Sequence, residues 1–349
     1  MTGAAGTVGN YVVRLCEAAG FAVVASDMNE RALRQPTRGR VVAGDLTEAG
    51  VRARALEGVD HVVHTAALLD VAANPSGLGR VNTELVAQLF EAATARGVKR
   101  FVHMSTCMLY APGQKRALTE SAATAPRGAH GLSKLGAEAF LRGRGRGDGP
   151  AWTILRAAPI YGRRGRHFAS SLLVVGPLLR LFSPVIPRVT GGPRHNFVHA
   201  EDVARALLFA LTEPRTHYGI YNVADEDPLP LGERLARTYE AYGLRSVSVG
   251  GVPDLLVKLA NQTARTPGAL RAFDASVLGL WRAVVVRHRL KAALRPRIDR
   301  EAVTLLEDDL VIDTSRLQAL GFKPRHPNFA AAWAEVLRWY QAEQWVPRY

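Results

Sequence analysis

The sequence has few cysteines and no long apolar run. Only two cysteines, Cys16 and Cys107, occur in 349 residues, which is too few for a disulfide framework. No apolar stretch reaches the ~18 residues of a membrane span, and no signal peptide is recognisable. We therefore expect a reduced, cytoplasmic setting and no membrane-spanning segment.

Lysine is also scarce, although the chain is strongly basic. Only six of the 45 basic residues are lysine, and the formal net charge is +14. Arginines are spread along the chain, with clusters at 142–146, 163–166 and 282–300. A nucleic-acid-binding module or interleaved aromatic residues do not accompany them. The charge thus predicts a solvated surface that attracts anions in general, and we expect no nucleic-acid partner.

A glycine-rich loop is the most informative feature that is present. Gly3, Gly6 and Gly9 have the spacing Gly-x-x-Gly-x-x-Gly, and a helical pattern follows them. Glycine lets the backbone turn tightly and approach a pyrophosphate without a Cβ in the way. The following helix then points its N-terminal N–H groups at that anion. The loop therefore predicts a dinucleotide-binding site.

Such a loop ordinarily follows a buried strand of about 4–8 residues. Only Met1 and Thr2 precede the first glycine. We expect the first strand to be missing, and we attribute this to the assigned start of the chain. Its absence would leave two neighbouring strands with unpaired backbone groups, each costing about 1–3 kcal/mol.

An acidic residue ends the apolar run at 21–26. Asp27 follows Gly9 by 18 residues, near the spacing at which a carboxylate meets the adenosine ribose of a dinucleotide. It would accept hydrogen bonds from both ribose hydroxyls and repel a 2′-phosphate, so NAD is favoured over NADP. Arg31 is close enough to weaken this preference. The alternative is an ordinary turn residue at a strand end.

Short apolar runs then alternate with helical patterns. Strands are predicted at 40–45, 59–64, 100–105 and 151–156, and helices at 81–96 and 131–141. This alternation predicts an α/β fold of the Rossmann type, a doubly wound parallel sheet that binds ligands at the carboxyl ends of its strands.

The later part of the chain is less regular. We expect a core at 1–162, a substrate region at 163–195, a return to the core at 196–225 and a smaller, mostly helical substrate-binding part at 226–349. Apolar segments at 168–187 and 255–294 are expected to face the substrate. For the second segment, core packing is the default interpretation. A helix that lies on an anionic membrane surface is the more specific hypothesis.

Candidate catalytic groups follow the predicted strand at 100–105. Thr106 places a hydroxyl at the strand end, where it could polarise a substrate oxygen. His130 and Lys134 are four residues apart in a helical stretch and so share a face. A lysine there can bind nicotinamide-ribose hydroxyls while its charge lowers the pKa of a neighbouring acid. The histidines lie on different strands without ligand spacing, so no metal site is expected.

Together these motifs resemble the extended short-chain dehydrogenase/reductase superfamily, the NAD-dependent epimerase/dehydratase and 3β-hydroxysteroid dehydrogenase-like group. The resemblance covers most of the chain and rests on the loop at 2–9, Asp45-Leu46, the segment 64–67, Val81-Asn82, Ser105-Thr106 and the segment 197–204. It implies catalysis by Thr106, His130 and Lys134. It implies cofactor binding by Gly3, Gly6, Thr7, Val8, Gly9, Asp27, Asp45, Leu46, Ala66, Ala67, Asn82 and Lys134.

One position departs from the family. Its active-site motif is Tyr-x-x-x-Lys, and His130 stands where the tyrosine belongs. In the family the tyrosinate takes a proton from the substrate hydroxyl as hydride leaves. An imidazole can also exchange protons near neutral pH, but its ring is shorter than a phenol. Two interpretations stay open: His130 replaces the tyrosine as the acid/base, or the site is catalytically idle and still binds the cofactor. Tyr110 and Tyr161 are other phenols that could donate the proton.

The resemblance implies oxidation or reduction of a secondary alcohol or ketone with NAD. The apolar helical part favours a hydrophobic, sterol-like or lipid-like substrate. A nucleotide-sugar epimerase, dehydratase or reductase is the alternative, with Arg163, Arg164, Arg166 and Arg194 available for a diphosphate. A sensor that binds NAD without catalysis is the third possibility. The expected partner is a small-molecule substrate, and a homodimer and a peripheral membrane contact stay open.

Overall fold

The computed structural model describes residues 1–33, 37–69, 77–114, 116–166, 168–251, 258–259, 262–263, 266–291, 294, 296 and 305–349. The strands are β1 Val24–Asp27, β2 Arg40–Ala43, β3 His61–His64, β4 Arg100–Thr106, β5 Ala151–Ala157, β6 Ile160–Tyr161, β7 Ile186–Thr190, β8 Arg194–His195, β9 Val198–His199, β10 Gly219–Val223, β11 Leu229–Pro230 and β12 Ser246–Gly251. The helices are α1 Thr7–Ala18, α2 Glu30–Leu33, α3 Ala49–Ala55, α4 Gly77–Gly79, α5 Leu85–Thr94, α6 Ala129–Arg142, α7 Phe168–Leu179, α8 Ala200–Thr212, α9 Leu231–Tyr242, α10 Pro267–Arg287, α11 Ser315–Gln318 and α12 Phe329–Ala342. A π-helical turn, Arg80–Glu84, connects α4 to α5, and 3₁₀ turns span Cys107–Leu109 and Pro214–Thr216.

A parallel sheet forms the centre of the molecule. β1 pairs with β2, while β3, β4, β5 and β10 lie side by side in that order, and every pair is parallel. Parallel neighbours need a connection that crosses a face of the sheet, which the intervening helices supply. The carboxyl ends of the strands therefore meet at one edge.

The position between β1 and β3 is held by Met1 and Thr2. Thr2 forms parallel bridges to Ser26 on one side and His64 on the other. The Thr2 amide donates to the Val63 carbonyl at 3.0 Å, and the Ser26 amide donates to the Met1 carbonyl at 2.8 Å. We expected the strands next to the missing one, β1 and β3, to lack hydrogen-bond partners. This is wrong at this end of the two strands, because Met1 and Thr2 already bond to both.

Successive residues of the central strands face opposite sides of the sheet. In β4, Phe101 belongs to the apolar cluster of α3, α5 and α6, whereas Val102 belongs to the cluster of α1 and α8. In β5, Ile154 and Leu155 divide in the same way. Since both faces are covered, the strands are continuous apolar runs instead of alternating ones. The doubly wound α/β fold is confirmed.

A smaller part of the chain has an apolar cluster of its own. Helices α7, α9, α10 and α12 contribute the buried side chains of Leu173, Tyr239, Trp281 and Trp333. Two short strand pairs accompany these helices, β7 with β12 in parallel and β8 with β11 antiparallel. This part is mostly helical as expected, and the strand pairs are an addition that its sequence pattern did not predict.

α10 spans 21 residues and is buried only in its second half. Trp281 and Val284 lie in the apolar cluster, whereas Phe273, Leu280 and Val286 are exposed. In the part of the chain that the structure describes, no helix has both the length and the apolar character needed to cross a membrane.

Neutral histidines lie inside the sheet. His64 and His103 are fully buried, and their rings stack with centroids 5.5 Å apart. Burial lowers the pKa of His64 to about 3 and holds the pKa of His103 well below its ordinary value, and the charge of Lys134 acts in the same direction. Both imidazoles therefore stay uncharged in the folded protein at neutral pH.

We expect the free energy of unfolding to fall as the pH is lowered from about 6.5 toward 3. The unfolded chain protonates both imidazoles in this range while the folded chain does not, so protons favour unfolding by about 1.4 kcal/mol per pH unit for each buried histidine. Urea denaturation at several pH values measures the slope of the unfolding free energy against pH. His103→Leu should reduce this slope clearly, whereas replacing the partly exposed His288, whose pKa burial lowers less, should reduce it less. Equal slopes in both variants would contradict the prediction.

Candidate active site

A cleft of about 1340 Å³ lies at the carboxyl edge of the sheet. The glycine loop, the ends of β1, β3, β4 and β5, and the first turns of α6 form its walls. Small-molecule sites usually measure roughly 300–1,000 Å³, so this cleft has room for a dinucleotide and a second ligand. Doubly wound sheets bind their ligands at this edge.

The glycine loop tolerates no side chain at its first and third glycines. Gly3 has φ +69°, and a Cβ there would lie 2.7 Å from the Ala66 nitrogen. A Cβ at Gly9 would overlap the Gly3 carbonyl. α1 begins directly after Gly6, and no side chain caps its N-terminus. Its first N–H groups are thus suited to an anion, and the loop fits the pyrophosphate of NAD.

Asp27 lies half-buried at the end of β1 and lines the cleft. One of its carboxylate oxygens accepts the Ala5 N–H at 3.0 Å, and the other accepts the Asn29 N–H at 3.3 Å. Arg31 lines the same part of the cleft. Asp27 therefore holds the glycine loop and places a negative charge at the position expected for the adenosine ribose.

The cleft wall includes most of the other cofactor candidates, namely Thr7, Val8, Asp45, Leu46, Ala66 and Ala67. Asp45 accepts the Thr47 N–H at 2.8 Å and pairs with Arg80 at 3.2 Å. The Thr47 amide and the Arg80 guanidinium together lower the pKa of Asp45. This carboxylate is thus held as an anion beside the cleft.

Asn82 lies elsewhere. It is fully buried, and it does not belong to the described residues that line the cleft. Its Oδ1 accepts the Leu68 N–H at 2.8 Å, and its Nδ2 donates to the Leu68 carbonyl at 2.9 Å and to Ser133 Oγ at 3.0 Å. These amide bonds all go to the protein itself, and the expected contact of Asn82 with the cofactor stays a prediction.

Thr106, His130 and Lys134 line one cleft, as the sequence predicts, although they come from two elements. Thr106 ends β4, and its Oγ1 accepts the Met108 N–H at 3.2 Å. His130 and Lys134 lie one turn apart at the start of α6. A hydroxyl, an imidazole and an ammonium group thus face the same space.

Lys134 is almost completely buried, and its Nζ donates to the Met104 carbonyl at 2.8 Å. Burial lowers the pKa of Lys134 to about 8, although the Glu138 carboxylate one turn later opposes this shift. An ammonium group has three donors, so others remain for ribose hydroxyls after the Met104 contact.

A buried ion pair attaches α6 to β5. Arg156 Nη2 donates to Glu138 Oε2 at 2.6 Å, and both side chains are at most 2% exposed. Ser105 Oγ also donates to Glu138 at 2.6 Å. The sequence analysis missed Glu138. Its position four residues after Lys134, on the same helix face, was the available signal.

The far wall of the cleft comes from the C-terminal part of the chain. Leu305, Trp339, Glu343 and Trp345 line it together with Ala169. We expected the segments 168–187 and 255–294 there, but Ala169 is their only described residue at the cleft. The buried apolar side chains of α7 and α10, such as Leu173 and Trp281, pack into the cluster of the smaller part instead. Residues 255–257, 260–261, 264–265 and 292–293 of the second segment lie outside the described ranges.

Two of the four candidate arginines reach this wall. Arg164 and Arg166 line the cleft, and the Arg166 guanidinium lies 5.2 Å from the Trp345 ring centroid. Arg163 instead pairs with Glu335. Arg194 donates from its side chain to the Pro228 carbonyl, and it is not among the described lining residues of the cleft.

The two other phenols are buried in the protein. Tyr110 Oη donates to Asn222 Oδ1 at 2.6 Å, and Tyr161 is 1% exposed. Burial raises the pKa of both phenols well above the ordinary value. Neither tyrosine belongs to the described residues lining the cleft, so both are structural.

Three side chains in the described ranges have donor atoms within 4.8 Å of one another, those of His199, Glu201 and His326. His199 Nδ1 accepts the Glu201 N–H at 3.2 Å, which places the proton of the neutral imidazole on Nε2. Arg325 and His326 contact the Glu201 carboxylate at 2.8 and 3.2 Å. These hydrogen bonds connect the residues around the start of α8, and the expectation of no metal site stays a prediction.

Removing the charge of Asp27 should weaken NAD binding more than NADP binding. Asp27→Asn keeps an acceptor for the Ala5 amide but loses the charge, and we expect NAD affinity to drop about tenfold, since hydrogen bonds to charged groups contribute about 1.5–3 kcal/mol. Asp27→Ala should also loosen the loop. Calorimetric titration measures the affinity of each variant for NAD and for NADP. An equal loss for NAD and NADP in Asp27→Asn would show that the carboxylate does not discriminate.

Lys134→Met should reduce both cofactor affinity and turnover, because it removes the ammonium group from the cleft. The wild-type activity should also decline as the pH rises through about 8, where Lys134 loses its proton. Lys134→Arg keeps its charge far above that pH and serves as the control for the pH dependence. Unchanged activity in Lys134→Met would place the lysine outside the reaction.

Comparison with known proteins agrees with this geometry. A model of the NAD dependent epimerase/dehydratase family matches residues 1–224. UDP-glucose 4-epimerase of Azospirillum brasilense is 29% identical over 237 residues, which are 62% of this chain and 68% of that protein. A 3 beta-hydroxysteroid dehydrogenase/Delta 5-->4-isomerase of Mycobacterium tuberculosis is 26% identical over 258 residues, 70% of this chain and 69% of that protein.

Solved structures show the same fold. A short-chain dehydrogenase/reductase superfamily protein of Agrobacterium tumefaciens with bound NAD has a TM-score of 0.62 at 26% identity, covering 72% of this chain and 84% of that chain. UDP-glucose 4-epimerase of Thermus thermophilus in complex with NAD has a TM-score of 0.69 at 21% identity, covering 97% of both chains. The chain therefore belongs to the NAD dependent epimerase/dehydratase family, within the extended short-chain dehydrogenases/reductases.

Proposed function

We propose that this NAD-dependent family member interconverts a secondary alcohol and a ketone, with His130 as the acid/base. The observation that carries the proposal is the position of His130 on the cleft wall, one helical turn before Lys134 and at the edge that holds the glycine loop. A titratable group placed beside a cofactor lysine is suited to move the substrate proton.

Each polar group has a separate role in this proposal. NAD, when bound, supplies the hydride acceptor or donor. Lys134 holds the nicotinamide ribose through its remaining ammonium hydrogens. Thr106 Oγ1 accepts the Met108 amide and so keeps its own proton for a substrate oxygen. His130 takes the hydroxyl proton during oxidation and returns it during reduction.

The far wall supports a polar, ring-containing substrate of the nucleotide-sugar class. Arg164 and Arg166 supply positive charge for a diphosphate, while Trp339 and Trp345 supply aromatic faces. Relatives and structural neighbours include enzymes named for nucleotide sugars. We therefore place this class before the sterol-like one.

A hydrophobic substrate is the second candidate. Leu68, Leu69, Met108 and Leu305 are apolar residues that line the same cleft. One relative is named as a hydroxysteroid dehydrogenase. A thermal-shift screen with NAD, UDP-sugars, dTDP-sugars and sterols separates the two substrate classes. A ligand at 100 times its Kd stabilises the folded protein by about 2.7 kcal/mol. The buried free thiols of Cys16 and Cys107 support a reducing, cytoplasmic setting for this reaction.

His130→Phe should strongly reduce turnover and leave NAD binding intact, because the ring is replaced by one without a proton site. General acid/base groups contribute about 10²–10⁴-fold, so the loss should fall in that range. His130→Tyr restores the family's phenol and should retain activity with a changed pH profile. NADH formation with the ligands from the screen measures turnover.

The same variants test the sensor alternative. If NAD stabilises the wild type but no substrate is turned over by it or by His130→Tyr, the protein binds the cofactor without catalysis. Wild-type turnover in His130→Phe would instead assign the proton transfer to another group.

A further inference from the structure

The His130 ring contacts a backbone carbonyl next to the cleft. Its Nδ1 lies 3.2 Å from the carbonyl oxygen of Leu68. A carbonyl oxygen can only accept a hydrogen bond, so Nδ1 must carry the proton. In a neutral imidazole the other nitrogen, Nε2, is then the one with the lone pair.

That carbonyl is itself held by Asn82. The Asn82 amide donates to the Leu68 carbonyl at 2.9 Å and accepts the Leu68 N–H at 2.8 Å. Both polar backbone groups of Leu68 are therefore bound by one side chain. A carbonyl oxygen has two lone pairs, and here Asn82 and His130 each have access to one.

Asn82 also contacts the helix that carries His130. Its Nδ2 lies 3.0 Å from Ser133 Oγ, and Ser133 Oγ donates to the His130 carbonyl at 2.7 Å. The neighbouring Thr83 donates from Oγ1 to the Ser133 carbonyl at 2.7 Å. The Asn82 amide thus connects to the His130 ring through the Leu68 carbonyl and to the His130 main chain through Ser133 Oγ.

The local backbone explains why Asn82 points inward. It lies in the π-helical turn Arg80–Glu84, a widened turn that often occurs at functional sites. Asn82 is completely buried there. Gly136 lets α6 approach this turn, since a Cβ at that position would lie 3.0 Å from Thr83 Cγ2.

We propose that Asn82 is a positioning residue, which fixes the Leu68 carbonyl so that His130 keeps its proton on Nδ1 and uses Nε2 toward the substrate. The inference rests on the proposed role of His130 as the acid/base. During oxidation the substrate O–H bond breaks as an Nε2–H bond forms on His130, and NAD⁺, when bound, would supply the acceptor for the hydride of the same carbon. The Leu68 carbonyl then stabilises the imidazolium through its Nδ1–H.

The test measures the tautomer directly. Two-bond ¹⁵N–¹H correlation spectra of the wild-type protein distinguish an Nδ1–H from an Nε2–H imidazole, and the signals that disappear in His130→Phe assign His130. We expect the Nδ1–H form. An Nε2–H form in the wild type overturns the proposal, and this spectrum is decisive even if no Asn82 variant folds.

Asn82→Asp is the informative variant because it keeps the acceptor for the Leu68 amide and loses both donor contacts. We expect a mixed or reversed tautomer, a 10- to 100-fold lower kcat, and NAD affinity and KM within about twofold of wild type. Asn196→Ala is the matched control, since Asn196 is also a buried amide bonded to backbone. It should lower stability and leave the tautomer unchanged. An unchanged tautomer in Asn82→Asp contradicts the proposal.

The experiments distinguish failure of the positioning role of Asn82 from failure of the proposed function. If His130→Phe keeps its turnover, the acid/base role fails while the spectra still report whether Asn82 sets the tautomer. If His130→Phe is inactive but the wild type shows Nε2–H, the function stands and the positioning role is wrong.

Discussion

The ion pair between Glu138 and Arg156 determines where α6 lies on the sheet. Both charges are buried, and the carboxylate also accepts the Ser105 hydroxyl at the end of β4. Losing one member of such a pair leaves an uncompensated charge and costs about 3–5 kcal/mol. Since α6 carries both His130 and Lys134, the position of every proposed catalytic group on this helix depends on the contact.

The second half of the cleft depends on the C-terminal helix α12. Trp333 packs inside the cluster of the smaller part, and Trp339 lines the cleft. Tyr340 Oη bonds to the carbonyls of Gly162 and Gly165 at 3.2 and 2.5 Å, which holds the segment that carries Arg164 and Arg166. One helix thus joins the core of the smaller part to the proposed substrate wall.

A histidine at the position predicted for the family's tyrosine is compatible with this architecture because imidazole has two different nitrogens. A phenol has a single oxygen, whereas an imidazole has two nitrogens, and a hydrogen bond from one of them determines which nitrogen keeps the lone pair for a substrate. The Leu68 carbonyl provides the acceptor of that hydrogen bond at 3.2 Å. The segment after β3 therefore takes part in the proposed chemistry through its backbone.

The sequence by itself determined the doubly wound fold, the glycine loop, the position of Asp27 and the grouping of Thr106, His130 and Lys134. These follow from hydrophobic period, glycine spacing and strand ends, which are local properties of the chain. Only the tertiary structure decided that Asn82 contacts protein instead of the cleft, that Glu138 pairs with Arg156, and that Trp339 and Trp345 form the far wall. These contacts join residues distant in the chain or use backbone atoms, and neither has a local sequence pattern.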